Sequence, residues 1–248
     1  MTYLALATDY DGTLATEGVV EPATVAALER WCETGRKLIL VTGRLLDDLL
    51  NILPRYVPLD LFDWLVAENG AVLYHPAQQA VQMLTDPIAP EFVQALRDRI
   101  GDGAEIAQAG TSGEFGHLIR TGQLATFSTG RVMVATWQPY EREVQALITQ
   151  MQLELQVIMN KRAVMVLPTG IDKAYGLKAV LSELNLAPLQ TVGVGDAEND
   201  SHLLELCGFS AAVANALPIV KAQADWVATY ERGAGVVELI DRLLTEVA

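Results

Sequence analysis

Two aspartates separated by one residue, Asp9 and Asp11, follow the short apolar run Leu4-Ala5-Leu6-Ala7 near the start of the chain. Such a run predicts a buried strand. Side chains two residues apart leave a strand on the same side, so the two carboxylates can converge just past its end. Gly12 lets the backbone turn sharply there. Because adjacent carboxylates repel unless a proton or a hard cation such as Mg²⁺ relieves them, this strand tip is predicted to be catalytic. A solvated Asp-Gly turn is the alternative.

A second acidic stretch follows the apolar run 191–194 and contains Asp196, Asn199 and Asp200. Asp196 is predicted at a strand tip, as Asp9 is. In an open α/β sheet the carboxyl ends of parallel strands share one edge, and ligands bind there. Asn199 and Asp200 are predicted either to cap the following helix or to support a metal shell from behind. Asp9 and Asp196 are therefore expected to hold one metal ion between them.

Two further polar groups are placed to bind an anion. Thr42-Gly43-Arg44 follows the apolar strand 37–41, where the Thr42 hydroxyl can bind an anion or cap the next helix. Lys173 lies where the strand-helix alternation resumes in the second half of the chain. A metal ion, a lysine and a hydroxyl together suit the oxygens of a phosphoryl group. One carboxylate of the first pair can then attack phosphorus while the other donates a proton to the leaving alcohol.

Strands and helices are predicted to alternate at both ends of the chain but not in its middle. Residues 1–86 and 166–248 contain apolar runs of strand length separated by amphipathic helices, which is typical of right-handed parallel crossovers. Residues 87–165 combine helices with antiparallel strands. The predicted fold is therefore α/β: a doubly wound parallel-sheet Rossmann-like core domain, discontinuous in sequence, with an inserted α+β cap domain.

The predicted cap contains its own helices and strands and all of the basic candidates for substrate contacts. Its predicted helices are 90–100 and 141–151, and its predicted strands are 105–106, 117–120, 131–136, 155–159 and 163–167. The basic candidates are Arg97, Arg99, Arg120, Arg131, Lys161 and Arg162, and a solvated surface position is the alternative for most of them.

One turn of the core has two interpretations. The third predicted strand, 63–67, ends at Glu68-Asn69-Gly70, and a further apolar run, 71–74, follows. An Asn-Gly pair between two apolar runs is a strong hairpin signal. The same turn can also border the site through Glu68 and Asn69.

Composition excludes several classes of function. Hydrophobic residues make up 51% and charged residues 19% of the 248, which is typical of a folded globular protein. The 17 basic and 31 acidic residues give a net charge of −14 without a basic cluster, so nucleic acid is not an expected partner. No apolar run approaches bilayer length and no basic leader precedes the first strand, so we expect no membrane partner and a cytoplasmic location. Cys32 and Cys207 form no C-x-x-C pair, and the histidines show no zinc spacing.

Four motifs in this order resemble the haloacid dehalogenase-like superfamily, and within it the Cof-type sugar-phosphatase group with a type 2 cap. They are Asp9-x-Asp11-Gly12-Thr13, Thr42-Gly43-Arg44, Lys173, and Gly195-Asp196-x-x-Asn199-Asp200. The resemblance covers nearly the whole chain, and Glu68-Asn69-Gly70 is similar to a further element of the group. Ala174 departs from the pattern, because a glycine commonly follows the motif lysine.

The resemblance implies a role for each motif residue. Asp9 is implied to be the nucleophile and a Mg²⁺ ligand, and Asp11 to be the acid/base whose backbone carbonyl also contacts the metal. Asp196 is implied to be a further metal ligand, with Asp200 behind it. The phosphate-binding set is implied to be Thr42, Gly43 and Lys173, with Asn199 beside them.

The predicted activity is that of a Mg²⁺-dependent phosphatase acting on small phosphorylated metabolites, foremost sugar phosphates, through an aspartyl-phosphate. A phosphomutase would share every motif and differ in shielding its phosphoenzyme from water. A receiver-like signalling module also uses strand-tip acids, a threonine and a lysine, but it would need neither the inserted cap nor the motif around Asp196. A purely structural protein would not need four acids at strand tips. The sequence indicates no oligomeric state.

Overall fold

A computed structural model describes residues 3–101 and 125–245. Its strands are β1 Ala5–Thr8, β2 Lys37–Val41, β3 Trp64–Ala67, β4 Val72–His75, β5 Ala80–Met83, β6 Ser128–Thr129, β7 Val134–Trp137, β8 Leu155–Asn160, β9 Ala163–Pro168, β10 Thr191–Gly195, β11 Phe209–Ala212 and β12 Trp226–Val227. Its helices are α1 Pro22–Glu33, α2 Leu46–Ile52, α3 Pro90–Ile100, α4 Glu141–Met151, α5 Lys173–Glu183, α6 Ser201–Leu206, α7 Pro218–Gln223 and α8 Arg232–Thr245. The chain divides into two compact units, residues 1–84 with 172–248 and residues 85–171.

The first unit is built on an eight-stranded sheet in the order β12-β11-β10-β1-β2-β3-β4-β5. The strands from β12 to β3 run parallel, and β4 and β5 are antiparallel to their neighbours. Strand β1 lies between β2 and β10, and Thr8 is in register with both Leu40 and Val194. The two ends of the sequence therefore meet in the middle of the sheet, with their strand tips at one edge.

Helices cover the sheet because its strands are apolar on both faces. Ala5, Ala7, Ile39 and Val41 form one buried cluster with residues of α5 and α6, among them Leu177, Val180 and Leu203. The alternate strand residues Leu6, Leu38 and Leu40 point to the opposite face and are likewise buried. Helix α1 packs against α8 and β2. This arrangement confirms the predicted doubly wound α/β class.

The second unit has an antiparallel sheet of its own in the order β6-β7-β9-β8, with helices α3 and α4. Its core joins the two helices to the sheet through buried residues that include Phe92, Leu96, Val144, Leu147 and Val166. An α+β unit inserted between the two halves of a parallel sheet agrees with the predicted architecture.

Element limits differ from the predicted ones where a turn or cap decides them. Apolar periodicity predicts helices over 175–184 and 236–247, whereas α5 begins at Lys173 and α8 begins at Arg232. Strand β7 begins at Val134, three residues later than predicted, and the edge strand β5 was not predicted. The predicted cap, 87–165, lies within the second unit, whose limits fall at 85 and 171. The predicted strands 105–106 and 117–120 lie outside the described residues, as does Arg120.

Among the residues that the structure describes, none of the helices has both the length and the apolar character required to cross a membrane.

Candidate active site

The nucleophile candidate and the second acidic motif lie at the tips of two adjacent parallel strands. Asp9 directly follows β1, and its N–H donates to the Val194 carbonyl of β10 at 3.0 Å. Asp196 directly follows β10. The sheet therefore brings together two aspartates that are 187 residues apart, as their positions at strand ends predict.

Asp9, Asp196 and Asp200 form a buried carboxylate cluster. One oxygen of each lies within 4.8 Å of the others, and their residues are 4%, 0% and 0% exposed. Asp11 is not part of this cluster. Three carboxylates this close in a buried site require compensating positive charge.

Lys173 supplies one positive charge from the first turn of α5. Its Nζ donates to Asp9 Oδ1 and to Asp200 Oδ1, at 2.6 Å each, and its side chain is 1% exposed. The helix begins at this residue because Asp172 caps it, with Oδ1 accepting the Tyr175 N–H at 2.8 Å. Helix capping thus fixes the point at which the ammonium group enters the cluster.

The buried environment and the neighbouring charges together raise the pKa values of both Asp9 and Lys173. Burial raises the pKa of Asp9 to about 8; the Lys173 ammonium opposes this rise, and the charges of Asp200 and Asp196 add to it. Burial alone would lower the pKa of Lys173, but Asp200 and Asp9 outweigh burial and raise that pKa. Without a cation, a proton therefore remains on the cluster at Asp9 while Lys173 stays charged.

Asp200 is held in place by hydrogen bonds to both of its oxygens. Oδ1 accepts from Lys173, and Oδ2 accepts the backbone N–H groups of Asp196 at 2.9 Å and Ala197 at 3.0 Å. It does not cap α6, which begins at Ser201 without a side-chain cap. Its lone pairs are therefore engaged in orienting Lys173 and the Asp196 backbone, which fits a supporting role for Asp200 within the cluster.

Three further residues lie around Asp196, two of them, Gly12 and Thr13, from the first motif and one, Asn215, that the sequence did not single out. A Cβ on Gly12 would lie 2.5 Å from Asp196 Oδ2, so only glycine permits this approach, and its φ of 88° also favours glycine. The Thr13 hydroxyl donates to Asp196 Oδ1 at 3.3 Å. Asn215 Nδ2 donates to the Gly12 carbonyl at 2.8 Å and contacts Asp196 Oδ2 at 3.4 Å. No spacing signal marks Asn215, which lies 19 residues beyond Asp196.

Asp11 faces Arg44 instead of the carboxylate cluster. Arg44 donates from Nε to Oδ2 at 2.6 Å and from Nη2 to Oδ1 at 2.7 Å, and its guanidinium carbon lies 5.4 Å from the Tyr10 ring centre. Burial alone would lower the pKa of Arg44, but its bonds to Asp11 outweigh burial and raise it. The Asp11 carboxylate is thus separate from the metal-binding candidates, and its implied carbonyl contact to the metal stays a prediction.

The Thr42 loop lies at the tip of β2 on the same sheet edge. The Thr42 Oγ1 accepts the Arg44 N–H at 3.1 Å, so its hydroxyl hydrogen remains able to donate to an anion. Helix α2 has Leu45 as its N-cap residue, so Thr42 does not cap it. Gly43, which separates Thr42 from Arg44 in the sequence, is half-buried. The capping interpretation is therefore wrong, and anion binding by Thr42 stays a prediction.

Asn199 contacts a residue of the predicted hairpin turn. Its Nδ2 donates to Asn69 Oδ1 at 2.9 Å. Its own Oδ1 is buried, and no donor of the described residues reaches it. The carboxamide is therefore oriented by Asn69.

The donors of the cluster suit a hard divalent cation. A divalent ion that displaces the Asp9 proton would leave three carboxylate charges balanced by its own two charges and the one on Lys173, so the cluster would be neutral. Only oxygen ligands are present in it, which favours Mg²⁺ over zinc. Asp9 and Asp196 are the residues that would hold the ion, because Asp200 already accepts three hydrogen bonds.

The chain is similar to known proteins in both sequence and fold. A family model described as haloacid dehalogenase-like hydrolase matches residues 6–106 and 136–240. A phosphoglycolate phosphatase of Haloarcula marismortui is 28% identical over 246 residues, covering 95% of each chain. One of Natronomonas pharaonis is 30% identical over 244 residues, covering 96% of each. A solved haloacid dehalogenase-like hydrolase from Bacteroides thetaiotaomicron shares the fold with a TM-score of 0.76 at 18% identity, covering 98% of this chain and 100% of that one.

Proposed function

The chain belongs to the haloacid dehalogenase-like hydrolases and is a phosphoric monoester hydrolase, and on this premise we propose that it works through an aspartyl-phosphate on Asp9 with the help of Mg²⁺. The family match confirms the resemblance carried by the four motifs. It also favours an enzyme over a receiver-like module. The roles of the individual residues, the metal and the substrate are the proposal.

One observation carries the proposal: Asp9, Asp196 and Asp200 form a buried carboxylate cluster at adjacent strand tips, and Lys173 forms ion pairs with two of its members, Asp9 and Asp200. A purely structural role would not favour three buried carboxylates. Each buried charge without a partner destabilises the folded state by roughly several kcal/mol. A phosphoryl group needs positive charge at its oxygens and a nucleophile at phosphorus. Mg²⁺ held by Asp9 and Asp196 would neutralise charge on the phosphoryl oxygens.

The side chains divide the reaction into two displacements. Asp9 Oδ1 is engaged by Lys173, so Oδ2 is the oxygen that attacks phosphorus. The first displacement starts with Asp9 ionised and Asp11 protonated: the Oδ2–P bond forms as the P–O bond to the substrate alcohol breaks, and Asp11 gives its proton to the departing oxygen. In the second displacement Asp11 takes a proton from water, the water oxygen bonds to phosphorus, and the Oδ2–P bond breaks. Inorganic phosphate leaves, and both aspartates return to their starting states.

The residues predicted to bind phosphate include hydrogen-bond donors and one acceptor. The Lys173 ammonium and the Thr42 hydroxyl are the donors proposed for the phosphoryl oxygens, with the Gly43 backbone beside them. Asn199 is the exception, since the carboxamide orientation set by Asn69 presents an oxygen. We therefore place Asn199 next to the phosphoryl group as an acceptor, which suits a hydroxyl, an ammonium or a cation better than a phosphate oxygen.

The substrate is proposed to be a small phosphomonoester. Relatives that align with this chain over 95–96% of its length are named phosphoglycolate phosphatase, which makes 2-phosphoglycolate the first substrate to test. The sequence predicted sugar phosphates, so hexose and pentose phosphates belong in the same panel. The inserted unit is proposed as the cap that selects among them.

The experiment compares Asp9→Asn with Asp11→Asn on p-nitrophenyl phosphate, whose leaving group needs little protonation. Asp9→Asn should form no phosphoenzyme, because a neutral amide is a poor nucleophile. Asp11→Asn keeps the nucleophile but lacks the base for the second displacement, at a cost of about 10²–10⁴-fold in turnover. It should therefore show a burst of nitrophenol and accumulate acid-stable phosphoprotein.

If Asp9→Asn accumulates phosphoprotein and Asp11→Asn does not, the nucleophile lies elsewhere. Product analysis with a hexose monophosphate separates a phosphatase from a phosphomutase, because a mutase would return an isomeric sugar phosphate instead of inorganic phosphate. Predominant isomer formation would replace the phosphatase proposal.

A further inference from the structure

The turn between β3 and β4 is more constrained than a hairpin connection needs to be. Glu68, Asn69 and Gly70 all have left-handed backbone angles, with φ of 52°, 51° and 100°. Glu68 and Asn69 are 0% exposed, and Gly70 is buried as well. Non-glycine residues in this region are strained and persist where surrounding contacts impose them, often at functional sites.

The backbone of this turn holds the loop that contains Thr42. The Asn69 N–H donates to the Thr42 carbonyl at 3.0 Å, and the Glu68 N–H donates to the Arg44 carbonyl at 2.9 Å. The Thr42 N–H in turn donates to the Val66 carbonyl of β3 at 2.8 Å. These three bonds bracket the loop whose hydroxyl is proposed to bind phosphate and whose arginine holds Asp11.

Gly70 holds the start of α5 by direct backbone packing. A Cβ on Gly70 would lie 1.8 Å from the carbonyl oxygen of Asp172, and a Cβ on Gly176 would lie 2.6 Å from the Gly70 Cα. No larger residue fits at Gly70 without displacing the residue that precedes Lys173. The turn and the first turn of α5 are therefore in backbone contact.

The Asn69 side chain makes the third connection. Its Oδ1 accepts the Asn199 Nδ2 at 2.9 Å, and Asn199 lies between Asp196 and Asp200 in sequence. Because the amide hydrogens of Asn199 are directed at Asn69, the Asn199 oxygen is turned the other way. That oxygen is buried, and none of the described residues donates to it.

We propose that Glu68-Asn69-Gly70 is a positioning element that fixes three catalytic loops relative to one another, with the Asn69 carboxamide setting the orientation of Asn199. The inference rests on the proposed function, since it takes Thr42, Lys173 and Asn199 as parts of the phosphoryl site. Asn69 acts through Asn199 and the Thr42 loop without contacting substrate. Its left-handed backbone is the strain that these contacts impose.

The test removes the carboxamide while keeping the backbone. Glycine adopts a φ near 51° without strain, so Asn69→Gly removes the carboxamide and its bond to Asn199 without a backbone penalty. The matched control is Gln79→Gly. It replaces an exposed residue with left-handed backbone angles at the end of the turn that follows β4. Values of kcat and KM for p-nitrophenyl phosphate and the melting temperature are measured for both variants, for Asn199→Ala and for the double variant Asn69→Gly/Asn199→Ala.

We expect Asn69→Gly to lower kcat/KM about 10–100-fold, the range that misplacement of catalytic groups produces. Gln79→Gly should keep wild-type kinetics. The double variant should be no slower than Asn199→Ala, because Asn69 then has nothing left to orient. If Asn69→Gly does not fold, the same comparison is made with Asn69→Ser in the two backgrounds, with the same expectation.

Wild-type kinetics in Asn69→Gly, or losses that multiply in the double variant, would overturn the inference. A failure of the proposed function gives a different result. In that case Asn199→Ala alone would match wild type, or Asp9→Asn would retain activity.

Discussion

Arg44 holds both carboxylate oxygens of Asp11, at 2.6 and 2.7 Å, so the residue proposed for proton transfer is oriented by the motif of a neighbouring strand. A bidentate pair of this kind fixes the plane of the carboxylate as well as its position. The pair is also backed by the Tyr10 ring. Asp11 thus depends on Arg44 for its geometry.

We expect Arg44→Ala to impair mainly the proton transfer that Asp11 performs. Turnover of 2-phosphoglycolate should fall about tenfold or more, because its alcohol is a poor leaving group and needs protonation. An acid that is no longer held in place supplies only part of the rate enhancement of about 10²–10⁴-fold that general acid catalysis gives. Phosphoenzyme formation from p-nitrophenyl phosphate should change much less. Pre-steady-state bursts with the two substrates measure the difference, and an equal loss in both bursts would count against this role. Arg55→Ala, which removes an exposed arginine, is the control.

Replacing Lys173 with methionine should destabilise the metal-free protein. The substitution leaves Asp9 and Asp200 buried without a counter-charge, and breaking a buried pair from one side costs about 3–5 kcal/mol. The control is Lys37→Met, because Lys37 pairs with Asp63 at a half-exposed site and such pairs contribute about 0–1 kcal/mol. Urea unfolding of both variants gives the free energies. Equal losses would show that the buried cluster does not depend on Lys173.

Mg²⁺ should stabilise the wild-type protein in a measurement that needs no turnover. At about 100 times its Kd, a ligand adds about 2.7 kcal/mol, which for a chain of this size raises the melting temperature by about 5–10 °C. Asp196→Asn should lose most of this shift, and Asp241→Asn, which alters an exposed pair with Arg30, should keep it. Differential scanning fluorimetry with Mg²⁺ and Zn²⁺ decides the point. A full shift in Asp196→Asn would remove Asp196 from the metal site.

The affinity for Mg²⁺ should depend on pH because of Asp9. Its pKa is about 8 in the metal-free fold, against about 4 in an unfolded chain, so between these values the native state holds a proton that the unfolded state has released. By linkage, Asp9 lowers the stability of the metal-free fold as pH rises from about 4 to about 8.

Metal binding must displace that proton. The Kd for Mg²⁺ should therefore increase as pH falls below 8, by at most about tenfold per pH unit for one proton. Calorimetric titrations at pH 6, 7, 8 and 9 measure it, and Asp9→Asn should show a weaker and pH-independent Kd. A wild-type Kd that stays constant from pH 6 to 8 would contradict a protonated Asp9.

Sequence patterns predicted the positions of the site residues better than their partners. Apolar runs ending in aspartate placed Asp9 and Asp196 at strand tips, and parallel crossovers then required these tips to share an edge. The fold class follows from the same alternation. These features depend on local periodicity and on topological rules, which a single sequence displays.

Local periodicity and topological rules could not predict which side chains contact one another across the sheet edge. The contacts of Asp11 with Arg44, of Asn199 with Asn69 and of Asn215 with Gly12 each depend on side-chain rotamers and loop paths. The edge strand β5 was missed because its residues are all exposed and show no apolar alternation. The Asn69-Gly70 signal correctly indicated a hairpin, since β3 and β4 pair antiparallel, but the signal contains no information on what the turn contacts.

The central position of β1 has a consequence for how the protein is made on the ribosome. Its hydrogen-bonding edge toward β10 stays open until residue 195 has been synthesised, which at about 5–20 residues per second takes roughly 10–40 s after β1 is complete. The second unit, 85–171, is continuous in sequence and can be finished within that interval. During synthesis the nascent chain therefore exposes an apolar strand edge that is open to pairing with other chains, and the late arrival of β10 both closes that edge and assembles the carboxylate cluster.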